Sequence, residues 1–309
     1  TVSYALRNHP SISTATCKRV QELARTMGYR PNDEVSRVMR MNRKMDRPRF
    51  RGTIAYLTNF DTADGWRAVT AFRRYHEGAH KRAAELGYQL ELVWARDPAI
   101  RPKRLSQILK ARGIQGLVVS PFPAAFGELP LLWENFASVA IGFSLENPIL
   151  HRVTCHHFNT MMLALQRLKE MGYQRFGLAM RPELDAKVNY GWSSAFLSFH
   201  FQQNQGSEPL VLYMQKDGSK QHPKKEVQAW YKANKPEVIL SSDRSVCTHM
   251  QNIGLKIPQK VGFVSLDWSA AKKNPMAGVD QKGELIGSGA VDMVIAQLGR
   301  TEHGLPQHP

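Results

Sequence analysis

The sequence lacks the short motifs that mark many catalytic and nucleotide-binding proteins. It has no G-x-G-x-x-G turn and no Walker loop, so no phosphate cradle of either kind is indicated. It has no H-E-x-x-H helix and no G-x-S-x-G elbow. His156 and His157 are adjacent rather than four apart, a poor metal pair and a better match to a structural role at a strand end. Cysteine is scarce: Cys17, Cys155 and Cys247 are far apart and form no C-x-x-C, which fits a reduced, intracellular setting. No apolar run of membrane length and no lipid-binding stripe occurs. These absences lead us to expect no catalytic residue, no cofactor, no metal and no membrane partner.

What is present in excess is positive charge. Lys and Arg number 42 against 26 acids, a net +16. Residues 1–51 hold 12 basic and 4 acidic side chains, so half of the excess lies in a sixth of the chain. Within 31–51, PNDEVSRVMRMNRKMDRPRFR, seven cations face three acids. A solvated linker would account for such a run. Phosphate backbones also reward it, because each neutralised phosphate releases counterions.

Ahead of that stretch, residues 1–7 read as the end of a helix stopped at Asn8, His9 and Pro10. A second helix follows Ser13, a good N-cap, with Val20, Leu23, Ala24 and Met27 as its apolar face and Gly28 closing it. Two short helices bury little alone, so a third is expected before Thr1, and the chain reads as trimmed at its start. Pro31 blocks continuation, and Asn32 can cap a further short helix over 33–40.

From Gly52 the pattern changes. Strands are predicted at 53–58, 89–95, 116–120 and 138–142, alternating with helices at 69–86, 101–111 and near 129–136. The alternation restarts after Arg152. Strands are predicted at 152–155, 175–180, 209–214, 238–242 and 261–267, and helices at 160–171, near 186–202, 224–233, near 243–253 and 283–298. This is the signature of two doubly wound parallel-sheet lobes, an α/β class. Such lobes leave a cleft at the carboxyl ends of their strands. Asn59 and the following FDTADGW, Ser120, Asp243 and the pair Asp267-Trp268 fall there, which suits a small polar ligand or, more plainly, caps and turns.

The motif TVSYALRNHPSIS…T..RV...A..MGYRPN resembles the headpiece of the lactose/galactose/purine repressor family of bacterial transcription regulators, TVSRALNG…VS..TR.RV..AA..LGYRPN. Further on, GTIAYLT, HKRAAELGY, GIQGLVVS, GYQRFGL and VGFVSLD stand where that family has similar segments. The resemblance implies a helix-turn-helix headpiece (partial here, 1–30), a hinge helix and basic linker (31–51), and a core like periplasmic binding proteins. Its first lobe would take 52–151 and 279–304, its second 152–278 and 305–309, with one more strand usual beyond Pro309. It also implies a cytoplasmic homodimer on double-stranded operator DNA, a repressor whose affinity is set by a small, sugar-like effector in the cleft.

Carried over residue by residue, the resemblance places Thr1, Ser3, Tyr4, Arg7, Asn8, Ser11 and Thr14 near bases or phosphates, with Asn32 and Arg37 of the hinge region beside them. Val38 stands where the family inserts a Leu into the minor groove, with Met39 next to it. In the cleft it points to Asn59, Trp66, Phe72, Arg73, Ser120, Trp192, Asp243, Asp267, Trp268 and Gln281. One position departs: Val188 replaces an Arg common in sugar- and purine-binding members, which removes its bidentate fork. Two other classes share this scaffold. A transport-type solute-binding protein would lack the basic front end, and an enzyme would rely on Asp243 and Asp267.

Overall fold

The structure is a computed structural model that describes residues 2–6, 12–27, 50–203, 208–214, 222–269 and 276–307. The chain divides into two units, 1–49 and 50–309.

In the first unit, helix α1 (Val2–Ala5) and helix α2 (Thr14–Thr26) are described. Ser13 caps α2 as expected, its hydroxyl accepting from Thr16 N. Gln21 Nε2 donates to Ala5 O at 3.3 Å and ties the helices together. Ala5 and Cys17 are buried between them, whereas Leu23 and Met27 of the expected apolar face are exposed. Two helices cover too little surface to bury a full stripe. The expected hinge helix at 33–40 lies outside the described residues.

In the second unit, strands β1 (Gly52–Thr58), β2 (Tyr88–Trp94), β3 (Gly116–Val119), β5 (Ala137–Ile141) and β7 (His151–Val153) form a parallel sheet in the order β2-β1-β3-β5-β7. A small pair, β4 (Gly127–Glu128) and β6 (Leu145–Asn147), stands apart. Strands β8 (Phe176–Met180), β9 (Leu210–Tyr213), β10 (Val238–Ser241), β11 (Gly262–Ser265) and β12 (Ala277–Gly278) form the second sheet, order β9-β8-β10-β11-β12. Each central strand is covered on both faces, which is why β3, β5, β10 and β11 are continuously buried and read as unbroken apolar runs.

Helices α3 (Thr70–Glu85) and α4 (Pro102–Ala111) follow β1 and β2. Helices α5 (His157–Glu170), α6 (Pro182–Ala186), α7 (Gly191–Gln203), α8 (His222–Asn234) and α9 (Arg244–Asn252) belong to the second sheet. Helix α10 (Gly283–Arg300) returns to the first, where Ile286, Ala290, Val291 and Val294 join the core under β1, β3 and β5. It lies against α3 almost backbone to backbone. A Cβ on Gly78 would stand 1.9 Å from Glu284 O, and one on Gly287 1.9 Å from Tyr75 O.

Four expectations are corrected. The helix near 129–136 is a single 3-10 turn at Trp133–Asn135, since Pro130 and the anchoring of Trp133 Nε1 on Leu129 O favour a tight loop. Arg152 and Val153 do not open the second lobe: β7 pairs with β5 and completes the first sheet. Residues 305–307, expected in the second lobe, line a hollow with His151 of β7 and Gln297 of α10 instead, and 308–309 lie outside the described residues. The helix near 186–202 is two helices, broken where Asn189 and Tyr190 take positive φ. Among the described residues no helix is long and apolar enough to cross a membrane, and no His, Cys, Asp and Glu group could hold a metal.

Candidate ligand cleft

Both sheets reverse strand order beside their first strand, at β1/β3 and at β8/β10. Loops leaving the carboxyl ends there diverge to opposite faces and open a crevice. A cleft of about 380 Å³ lies between those ends, at the small end of ligand-sized cavities.

One wall is aromatic. Phe60 follows β1, and Phe72 and Tyr75 project from the first turns of α3. Phe60 meets Phe72 edge-on at 5.6 Å, and Phe72 stacks on Tyr75 at 6.1 Å. The other wall is polar. Trp192, at the start of α7, is buried, and among the described residues its Nε1–H has no partner. His157 stands edge-on to its ring at 5.2 Å. Burial, and then the neighbouring His156, bring His157 down to about 4, so it is neutral at pH 7. Ser242 Oγ also lacks a partner among the described residues. A buried donor or acceptor left without a partner costs about 1–3 kcal/mol, which an incoming polar ligand recovers.

Asp243 is committed twice. Oδ1 accepts from Ser245 N at 2.9 Å and caps α9, while Oδ2 accepts from Arg181 Nε at 2.8 Å. Asp267 follows β11 and faces the cleft with no hydrogen bond among the described residues. Burial raises its pKa; Arg244 and Arg74 offset part of this and Asp280 adds to it. Gln281, on the crossover into α10, donates Nε2 to Leu266 O at 2.6 Å, leaving its carbonyl oxygen for the cleft. Behind it Arg74 bonds both Asp280 and Glu284 and holds Asp280 down at about 2.

Of the expected cleft residues, Phe72, Trp192, Asp243, Asp267 and Gln281 come together. The others do not line this cleft. Asn59 turns to a separate hollow beside Arg96 and Asp97. Trp66 is buried behind Phe60 and Phe72, its ring 4.9 Å from His76. Arg73 bends back onto Arg67 O and Thr70 Oγ1. Ser120 is buried, its hydroxyl donating to Pro121 O. Trp268 gives Nε1–H to Met276 O at 2.7 Å and packs on β12. Phe60, the first residue of the expected FDTADGW stretch, does line the cleft, whereas the sequence reading missed Tyr75, His157, Arg181 and Lys187. Arg181 is the residue next after β8, so the strand-end rule applied to β8 would have found it.

Of the expected DNA-contacting residues, Thr1, Arg7, Asn8, Ser11, Asn32, Arg37, Val38 and Met39 lie outside the described residues, as do the side chains of Ser3 and Tyr4. Thr14 opens α2 and is exposed.

Residues 1–32 match the family model of bacterial regulatory proteins, lacI family. No curated protein matches the chain. Among solved structures it is similar to a transcriptional regulator CelR–cellobiose complex, at 19% identity and TM-score 0.62, covering 99% of this chain and 91% of that one. It is also similar to the lac repressor dimer bound to operator and the anti-inducer ONPF, at 17% identity and TM-score 0.58, covering 98% and 90%. A third similar structure is a regulatory protein of the LacI family from Chloroflexus aggregans, at 15% identity and TM-score 0.63, covering 82% and 92%.

Proposed function

We propose that this chain, whose residues 1–32 match the family model of bacterial regulatory proteins, lacI family, is a dimeric repressor of that family whose operator affinity is set by a small molecule held between its two sheets. The observation that carries the ligand half is a pair of buried groups in one cleft, Trp192 Nε1 and Ser242 Oγ, that have no partner among the described residues, with the Asp267 carboxyl lining the same cleft. The DNA half rests on the family match over residues 1–32 and on the cations clustered in 31–51.

A ligand bridging the two sheets favours one lobe arrangement, and the paired cores pass that bias to paired headpieces. A compound that binds both arrangements equally shifts nothing. The test is binding of the intact protein to a duplex it selects from a random pool, titrated with salt and with cleft ligands. We expect log K to fall linearly with log salt, and a cleft ligand to move the curve. A flat salt response removes the phosphate contacts, and a response to ligand that survives Asp267→Ala removes the cleft.

A further inference from the structure

Lys187 and Arg181 face the same cleft; among the described residues Lys187 has no counter-charge, and Arg181 meets its one carboxylate, Asp243, through Nε alone. Lys187 follows α6 in the second lobe and reaches the first: Nζ donates to Pro123 O at 3.3 Å and stands 5.1 Å from the centre of the Phe72 ring. Among the described residues it has no ion pair. The acids near it are engaged elsewhere. Asp243 is taken by Arg181 and the α9 cap. Asp185 is buried and accepts from Tyr213 Oη and Ser193 N. Glu183 is exposed and does not line the cleft. Arg181 spends Nε on Asp243, and among the described residues its other N–H groups have no partner.

A half-buried ammonium without a counter-charge is costly, and burial followed by the field of Arg181 brings Lys187 down to about 8. Two cations repelling across an open cavity gain by admitting an anion between them. The opposite end of the cleft is different. The charges that act on Asp267 are Arg244, Arg74 and Asp280, and among the described residues its carboxyl has no hydrogen bond, so it is open to a ligand hydroxyl.

We infer that the cleft is bipolar and takes a monosaccharide-sized hydroxylated anion, its carboxylate or phosphate held by Lys187 and Arg181 and its hydroxyls by Asp267 and Gln281. This rests on the cleft being the effector site proposed above. It also answers the loss at Val188: a guanidinium still serves the cleft, supplied from the end of β8 instead of the helix after it. With Lys187 drawn from Pro123 to the anion, the ligand bridges the two lobes and carries the closure itself.

The test is equilibrium dialysis of the full chain against D-glucuronate, D-gluconate and D-glucose 6-phosphate, each beside neutral D-glucose. The two acids and the phosphate separate the possible anions. At least one should bind ten times tighter than glucose or more. Lys187→Met should erase that preference without changing glucose binding more than twofold, and Lys187→Arg should keep it. Glucose binding as well as its anions, no anion binding in a Lys187-dependent way, or Lys187→Met weakening acid and neutral sugar alike would overturn the inference. A protein that takes up an acid but ignores DNA would spare this inference and remove the regulatory reading. A protein whose operator complex answers a neutral metabolite would do the reverse.

Discussion

The two walls of the cleft are made differently. The first is aromatic and set on α3, which α10 clamps through two glycines at van der Waals limits. The second is polar and set on strand ends and helix starts: Arg181 after β8, Asp243 after β10, Asp267 after β11, Trp192 at the head of α7. One wall supplies shape from a rigid pair of helices. The other supplies chemistry from groups whose hydrogen bonds are incomplete.

That contrast can be broken, beginning at its strongest point. Gly287→Ala puts a methyl into Tyr75 O and should cost about 3 kcal/mol or more, lowering the melting temperature by roughly 6–12 °C. Gly299→Ala, on the same helix with nothing near its Cβ, should be neutral or gain up to about 1 kcal/mol. Equal losses in the two would mean that helix propensity, not contact, governs the pair. Next is pH. His157 has its folded pKa depressed from 6.5 to about 4, so the unfolded chain binds its proton first, and stability falls as pH drops from about 6.5 to about 4. His157→Phe keeps the edge-on contact with Trp192 and should remove roughly 3 kcal/mol of that acid loss, read as urea midpoints across the window.

Smaller effects sharpen the polar wall. Asp243→Ala loses both the α9 cap and the Arg181 bond and should cost about 1–2 kcal/mol, because Arg181 is partly exposed and its ion pair adds little. Trp192→Phe should change the melting temperature of the ligand-free protein little, since the packing lost in the core is offset by removing an N–H that has no partner among the described residues. Ligand affinity should fall about tenfold, measured by titration calorimetry.

The strands and most helices of the core were legible because a parallel sheet covered on both faces writes itself as short apolar runs between amphipathic helices. The exceptions have local causes. Residues 129–136 carry helical-looking leucines, but Pro130 holds them in a loop. The residues 152–153 look like a fresh start because the chain passes between lobes just after them, at Thr154–His156, rather than before. In the cleft, Asp243, Asp267 and Trp192 were found because strand ends and the family pattern mark them. Trp66 misled because an aromatic beside a strand end serves equally well as backing for a wall. Lys187 was illegible: it sits in a break between helices made by two positive-φ residues that no periodicity signals.

The clamp of Gly78 and Gly287 has a mechanical consequence. With their backbones in contact, α3 and α10 cannot slide past each other, so Phe72, Tyr75 and the start of the second crossover travel together. Among the described residues the chain crosses between the two sheets in short stretches, 154–156 after β7 and 279–282 before α10. In the function proposed above, a ligand in the cleft would act on these few residues and leave both sheets undeformed.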